Sequence, residues 1–162
     1  MTSNTHHPMQ AQDVADLIAK CNEARRLGER DAKSESLLED RFQPAQRLAV
    51  YGSLAPGEKN YNIVRDVGGA WGPGWIFGEL EPSGWGFTMG YPAFRSQAEG
   101  QPVACLLLRS KGLERFWNQL DQFEGEEYLR TLVPVRLKNE LWALANCYEL
   151  HPRLFGSDPS PA

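Results

Sequence analysis

Apolar positions along this chain recur with two different spacings, and the change between them divides it. Val14, Leu17, Ile18 and Cys21 lie three or four residues apart, the repeat of an amphipathic helix, and predict one over residues 11–27. The charge-rich stretch Glu29–Arg41 reads as a linker or a second short helix. From Gln46 onward, short apolar or alternating runs predict strands at Arg47–Tyr51, Gly69–Leu80, Val103–Arg109, Tyr128–Lys138 and Leu141–Leu150. The last two read as a hairpin about the tight turn Lys138-Asn139-Glu140. Trp71, Trp75 and Phe77 share one face of the second strand, and Pro134 marks an edge or bulge in the fourth. Asn60–Asp66 fits one or two helical turns, and Pro82–Pro92 is turn-rich. One helix interrupts the strands. Leu113, Phe116, Trp117 and Leu120 form a single stripe, predicting a helix over Gly112–Phe123, and Gly125 stands where a helix ends.

These patterns predict three parts: a helical, partly disordered extension over residues 1–45, a β-rich domain over 46–150, and a disordered tail over 151–162 ending in GSDPSPA. The extension holds almost no aromatics and does not fold alone, so it packs on the body or on a partner. The length of 162 residues suits one domain with tails, and 41% hydrophobic residues suffice for a core. Trp71, Trp75, Trp117 and Trp142 fall on apolar faces and are expected in the core; Trp85, among turn residues, is the exception.

Composition then removes several classes of function. The net charge of -4 gives no footprint for nucleic acid or an anionic membrane. No apolar run approaches a membrane span, and the polar N-terminus shows no secretory signal. Cys21, Cys105 and Cys147 are odd in number and scattered, which suits a reducing compartment; the expected location is cytoplasmic. Cys105 and Cys147 lie in strand-like runs and read as buried small hydrophobes. His6, His7 and His151 lie in or beside the tails, and no His, Cys or Asp cluster has metal spacing, so neither metal nor cofactor is expected.

Two segments carry candidate chemistry. The first is LAVYGSLAPGEKN, Leu48–Asn60. Gly52 and Gly57 have the glycine spacing of a phosphate-binding loop. Glu58, however, stands where that loop needs lysine, Lys59 stands where it needs a magnesium-holding hydroxyl and Asn60 after it supplies none, and Pro56 lacks an N–H the cradle would use. A carboxylate facing a triphosphate is repulsive. What remains is a strand end, Tyr51-Gly52-Ser53-Leu54, exposing successive amides at a tight turn, an array that also suits a carboxylate or an oxyanion.

The second is LDQFEGEEYLR, Leu120–Arg130. Glu124, Glu126 and Glu127 crowd the end of the predicted helix, where the backbone carries partial negative charge and prefers cations. A partly desolvated carboxylate there has its anion disfavoured and its pKa raised, which makes it a proton carrier near neutrality.

Tyr51-Gly52-Ser53-Leu54, then Gly90-Tyr91-Pro92-Ala93, then Leu120-Asp121-Gln122-Phe123-Glu124-Gly125 ahead of Tyr128-Leu129-Arg130 and a final hairpin resembles the gamma-glutamyl cyclotransferase family, in particular its small gamma-glutamylamine cyclotransferase-like members. The resemblance covers about residues 46–150. It departs at Asn60-Tyr61, where small members often have Asn-His. It implies an α+β fold: a small mixed β-barrel-like sheet with flanking helices. It also implies release of 5-oxoproline and an amine from a small γ-glutamyl substrate. The family's catalytic glutamate falls on Glu124, with Tyr51, Gly52, Ser53, Leu54 and Tyr128 as substrate-binding residues. Asp121 reads as structural, paired with Arg130; alternatively, Arg130 meets the substrate carboxylate. The competing expectation is a non-catalytic ligand-binding or interaction module on the same fold, docked through its N-terminal helix.

Overall fold

The computed structural model describes residues 10–82 and 90–154. Its strands are β1 (Arg47–Val50), β2 (Ala70–Glu81), β3 (Ala93–Ser96), β4 (Gln101–Arg109), β5 (Tyr128–Leu137) and β6 (Trp142–Leu150). Its α-helices are α1 (Ala11–Arg26), α2 (Ala32–Phe42) and α3 (Trp117–Glu124).

The strands run in the order β3-β2-β4-β1-β6-β5, and β5 returns to β2 through Gly74↔Leu137 and Trp75↔Arg136. Five strands thus close a barrel, and β3 extends β2 at one end. The sheet is mixed: β1 and β6 are parallel, and every other pairing is antiparallel. The seam depends on Gly74. A methyl group there would stand 2.7 Å from Val135 Cγ1, so only glycine lets the two strands approach. Pro134 falls where β5 has β6 on one side alone, the edge position its missing N–H requires.

Closure gives several strands two apolar faces, which is why β1 and the end of β4 read as near-continuous hydrophobic runs. Inside the barrel lie Ile76, Phe94, Leu107, Val133, Val135 and Cys147. Outside it, Leu48, Val50 and Leu108 meet Leu113, Trp117 and Leu120 beneath α3. On a third face Leu132 and Leu144 are covered by Cys21 and Leu38 of α1 and α2. Each fully buried leucine contributes roughly 1.5–3 kcal/mol of transfer free energy. The extension therefore packs on the body. Glu29–Arg41 contributes the helix α2, capped by Asp31, whose side chain accepts from the amide of Ser34.

Several expectations are corrected. The helix over Gly112–Phe123 is two pieces, a 3-10 segment Lys111–Arg115 capped by Ser110 and then α3, with Phe116 at φ -107, ψ -13 as the turn between them. Trp142 is 57% exposed: it opens β6 at the barrel's outer surface and lies against Phe77, ring centroids 5.7 Å apart, with its other face in solvent. Trp71, Trp75 and Phe77 do share a face, but it is the outer one; Gly74, Ile76 and Gly78 point inward. The expected tail opens with a 3-10 turn at Pro152–Leu154. Residues 155–162, His6, His7 and Trp85 lie outside the described residues. Among the described residues no helix is long and apolar enough to cross a membrane, and no group of His, Cys, Asp and Glu could hold a metal.

Candidate active site

The end of β1 and the end of α3 meet at one mouth of the barrel. After Val50 the chain leaves the sheet in a series of turns, with the Ala55 amide donating to Gly52 O (3.2 Å) and the Asn60 amide to Ser53 O (2.8 Å). Asn60 Nδ2 also donates to Ser53 Oγ (2.9 Å) and ties the loop shut. Among the described residues, no hydrogen bond is donated by the amides of Gly52, Ser53 or Leu54. Tyr91 packs over Gly52, 3.7 Å from where a Cβ would sit, and its phenol donates to Glu58 (2.8 Å).

Opposite this loop, α3 ends at Gly125, whose φ of +77 is open to glycine at little cost. That break leaves Glu124 as the last helical residue, pointing into the molecule and 9% exposed, while Glu126 is exposed and Glu127 half-buried. Of the three glutamates in the motif, the fold buries only Glu124. Burial, with a smaller contribution from the neighbouring Asp121 charge, pushes its pKa up to about 8.

All six residues expected at the site from sequence line one cavity of about 50 Å³: Tyr51, Gly52, Ser53, Leu54, Glu124 and Tyr128. One of their expected uses is different. The Tyr51 phenol donates to the Tyr148 carbonyl (2.6 Å) and accepts from the Phe94 amide (3.0 Å), so it ties β1 to β6 and β3. Its ring shapes the cavity, but its hydroxyl is committed to backbone.

Asp121 and Arg130 do pair, through Nε–Oδ1 at 2.9 Å and Nη2–Oδ2 at 3.2 Å, and Arg130 is not among the residues that line this cavity. The guanidinium also lies 4.5 Å from the Trp117 ring centroid. Tyr148, paired with Arg130 across β5 and β6, donates to Asp121 Oδ1 (2.6 Å). Burial and this bond hold the Tyr148 phenol far above the usual tyrosine range.

Tyr148, Tyr91 and Pro92 line the cavity and were not singled out as site residues. Tyr91 and Pro92 lie in the quoted Gly90–Ala93 segment, which was their only signal. Tyr148 had none, because only the β5–β6 register sets it beside Arg130.

Fold and site together define a class: a small mixed α+β barrel whose mouth joins a strand-end amide loop to a buried carboxylate at a helix terminus. Residues 48–160 match the family described as gamma-glutamyl cyclotransferase, AIG2-like, and the chain belongs to that family. The crystal structure of YkqA from Bacillus subtilis is similar with a TM-score of 0.52 at 22% identity, covering 65% of this chain and 35% of that one. This chain thus spans about a third of YkqA's length. A protein of Arabidopsis thaliana solved in solution gives 0.50 at 23% identity, covering 68% of this chain and 67% of its own. A mouse AIG2-like protein gives 0.47 at 19% identity, covering 63% and 76%. At these identities the likeness is one of fold. No curated protein matches the sequence.

Proposed function

We propose that this protein cyclises a γ-glutamyl compound, releasing 5-oxoproline and an amine, with Glu124 as the proton carrier. The observation that carries the reading is a buried carboxylate with a raised pKa sharing one small cavity with three amides that donate no hydrogen bond among the described residues. In this reaction the substrate's α-nitrogen attacks its own γ-carbonyl carbon. A C–N bond closes the five-membered ring, and the C–N bond to the leaving amine breaks. Two protons leave the α-nitrogen, and both finish on the leaving nitrogen, which departs as an ammonium ion. Glu124, ionised at the start, takes a proton from the α-ammonium to free the nucleophile. It then delivers that proton to the leaving nitrogen. A pKa near neutrality suits both halves of that task.

The amides of Gly52, Ser53 and Leu54 would hold the substrate carboxylate or the oxyanion that forms at the γ-carbonyl. Both reactants are on one molecule, so much of the catalysis is orientation, worth up to roughly 7–11 kcal/mol in favourable cases. A groove of about 360 Å³ continues from the cavity past Tyr91, between Glu58 and Trp75, and gives the leaving amine a place to lie. The reading as a docking module has lost its motivating feature, because the apolar face of α1 packs on the barrel.

The test is 5-oxoproline release from a panel of γ-glutamyl amines, γ-glutamyl amino acids, the ε-lysine isopeptide and glutathione. Glu124→Gln should remain folded and lose roughly 100- to 10,000-fold in turnover, the usual share of general acid–base catalysis. A Glu124→Gln protein as active as wild type would end this assignment.

A further inference from the structure

The N-terminal helices lie outside the stretch matched to the family, yet their side chains reach the back of the site. Asn22 exchanges two hydrogen bonds with the backbone of Leu132: Nδ2 donates to its carbonyl (2.9 Å) and Oδ1 accepts from its amide (2.8 Å). This sets the register of α1 on β5. Three residues further on, Arg25 is buried. Its Nε and Nη2 donate to both carboxylate oxygens of Glu35 (2.8 and 2.9 Å). Its Nη1 donates to the Arg130 carbonyl (3.2 Å) and to Asn146 Oδ1 (2.9 Å). That same Asn146 oxygen accepts from Arg130 Nη1 (3.4 Å), while Asn146 Nδ2 donates to the Pro44 carbonyl (2.9 Å). Arg130 in turn grips both oxygens of Asp121, one helical turn before Glu124.

One buried amide oxygen is therefore shared by two guanidinium groups. Like charges this close persist because Glu35 neutralises one, Asp121 neutralises the other, and Asn146 holds both. Arg25 donates both to the Arg130 carbonyl and to the Asn146 oxygen that Arg130 shares, so α1 bears directly on where Arg130 can lie. We infer that Arg25 is a positioning residue for the site: from the N-terminal helix it fixes Asn146 and Arg130, and through Arg130 the carboxylate of Asp121 that stands beside Glu124. Its consequence for turnover rests on the reading of Glu124 as proton carrier; the contacts themselves do not.

The titratable groups facing Glu124 are Asp121 from α3, Tyr51 from the loop after β1, Tyr128 from β5, and Cys147 and Tyr148 from β6, with Arg130 of β5 behind Asp121. Of these, Asp121 and Arg130 are the charged pair near neutral pH. Those facing Arg25 are Glu35, Arg30, Arg130 and Cys21. Loss of Arg25 removes a positive charge and frees Arg130 to turn toward Asn146 and Glu35. Both changes leave Asp121 less compensated and disfavour a second anion at Glu124. Loss of the Glu35 charge acts in the opposite sense.

The test uses the full chain and titrates the Glu124 side-chain carboxyl carbon by NMR, its resonance assigned by its absence in Glu124→Gln. Arg25→Gln should raise the midpoint by about half a pH unit, an approximately threefold change in proton binding. Glu35→Gln should lower it. Asn22→Ala loosens the same helix without altering charge and should move the midpoint less than either charge change. Arg25→Gln should also lower kcat severalfold with little change in KM. A merely structural role predicts lower thermal stability with an unmoved midpoint, or shifts in one direction for all three variants; either result overturns the inference. If Arg25→Gln does not fold, the sign of the Glu35→Gln shift decides. A wild-type chain that releases no 5-oxoproline would end the proposed activity, while the midpoints would still decide the role of Arg25.

Discussion

At Glu124 the proposed function and stability pull apart. A carboxyl buried at the end of a helix beside Asp121 holds its proton in the folded chain up to a pH of about 8, against an ordinary value of 4.5. Between those two values the folded state binds more protons than the unfolded state, so the contribution of this group to stability falls as pH rises. Below the lower value it costs nothing; above the upper one the cost is complete and on the order of a few kcal/mol. Glu124→Gln removes the titration. Its melting temperature should match that of wild type near pH 4 and exceed it near pH 8.5, as thermal unfolding at the two pH values would show. A gap that stays constant with pH would mean that the carboxyl is solvated in the folded state. The substitution that the proposed function expects to slow turnover is thus also expected to stabilise the protein at alkaline pH, the trade-off a buried proton carrier would show.

Among the elements, the β2–β5 seam has little tolerance. It consists of two paired positions, whereas β2 and β4 pair over nine. Gly74 is what lets it form, with Val135 Cγ1 2.7 Å and the Arg136 carbonyl oxygen 3.2 Å from where a Cβ would sit. Gly74→Val should push these strands apart and open the barrel beside the site, at a cost of about 1–3 kcal/mol, the typical range for overpacking. Denaturant unfolding measures that cost, and amide exchange at Leu137 and Trp75 locates it. Seam amides as protected as in wild type would show that the barrel absorbs the extra methyl groups by other means.

Across the whole molecule, the N-terminal helices act as a lid on the third apolar face. Removing residues 1–43 would uncover Leu132 and Leu144 and leave Asn146 without Arg25. The truncated chain should lose more than 10 °C in melting temperature or aggregate on expression, an estimate of about 2–5 kcal/mol for the lost leucine burial and the orphaned polar group. A truncated chain as stable as the intact one would show that the extension is dispensable for the fold and would confine its role to positioning.

By itself the sequence determined the elements and most of the candidate site. The three- and four-residue spacing of Val14, Leu17, Ile18 and Cys21 specified α1, alternating and apolar runs located five of the strands, and Gly125 marked the end of α3, because periodicity and backbone conformation are local properties. The Tyr51 loop and Glu124 were legible as motifs for the same reason. β3 was not, since four residues between turns carry too little pattern to separate strand from loop. Trp142 was misplaced because alternation identifies a face and not whether another layer covers it. Tertiary structure alone decided which of the adjacent glutamates is buried, that the Tyr51 hydroxyl is spent on backbone, and that Arg25 lies two contacts from Asp121. Each of those depends on pairing between segments more than 40 residues apart, such as β1 with β6 and α1 with β5. No local pattern records which distant partner a side chain will meet, because that choice is made by closure of the barrel.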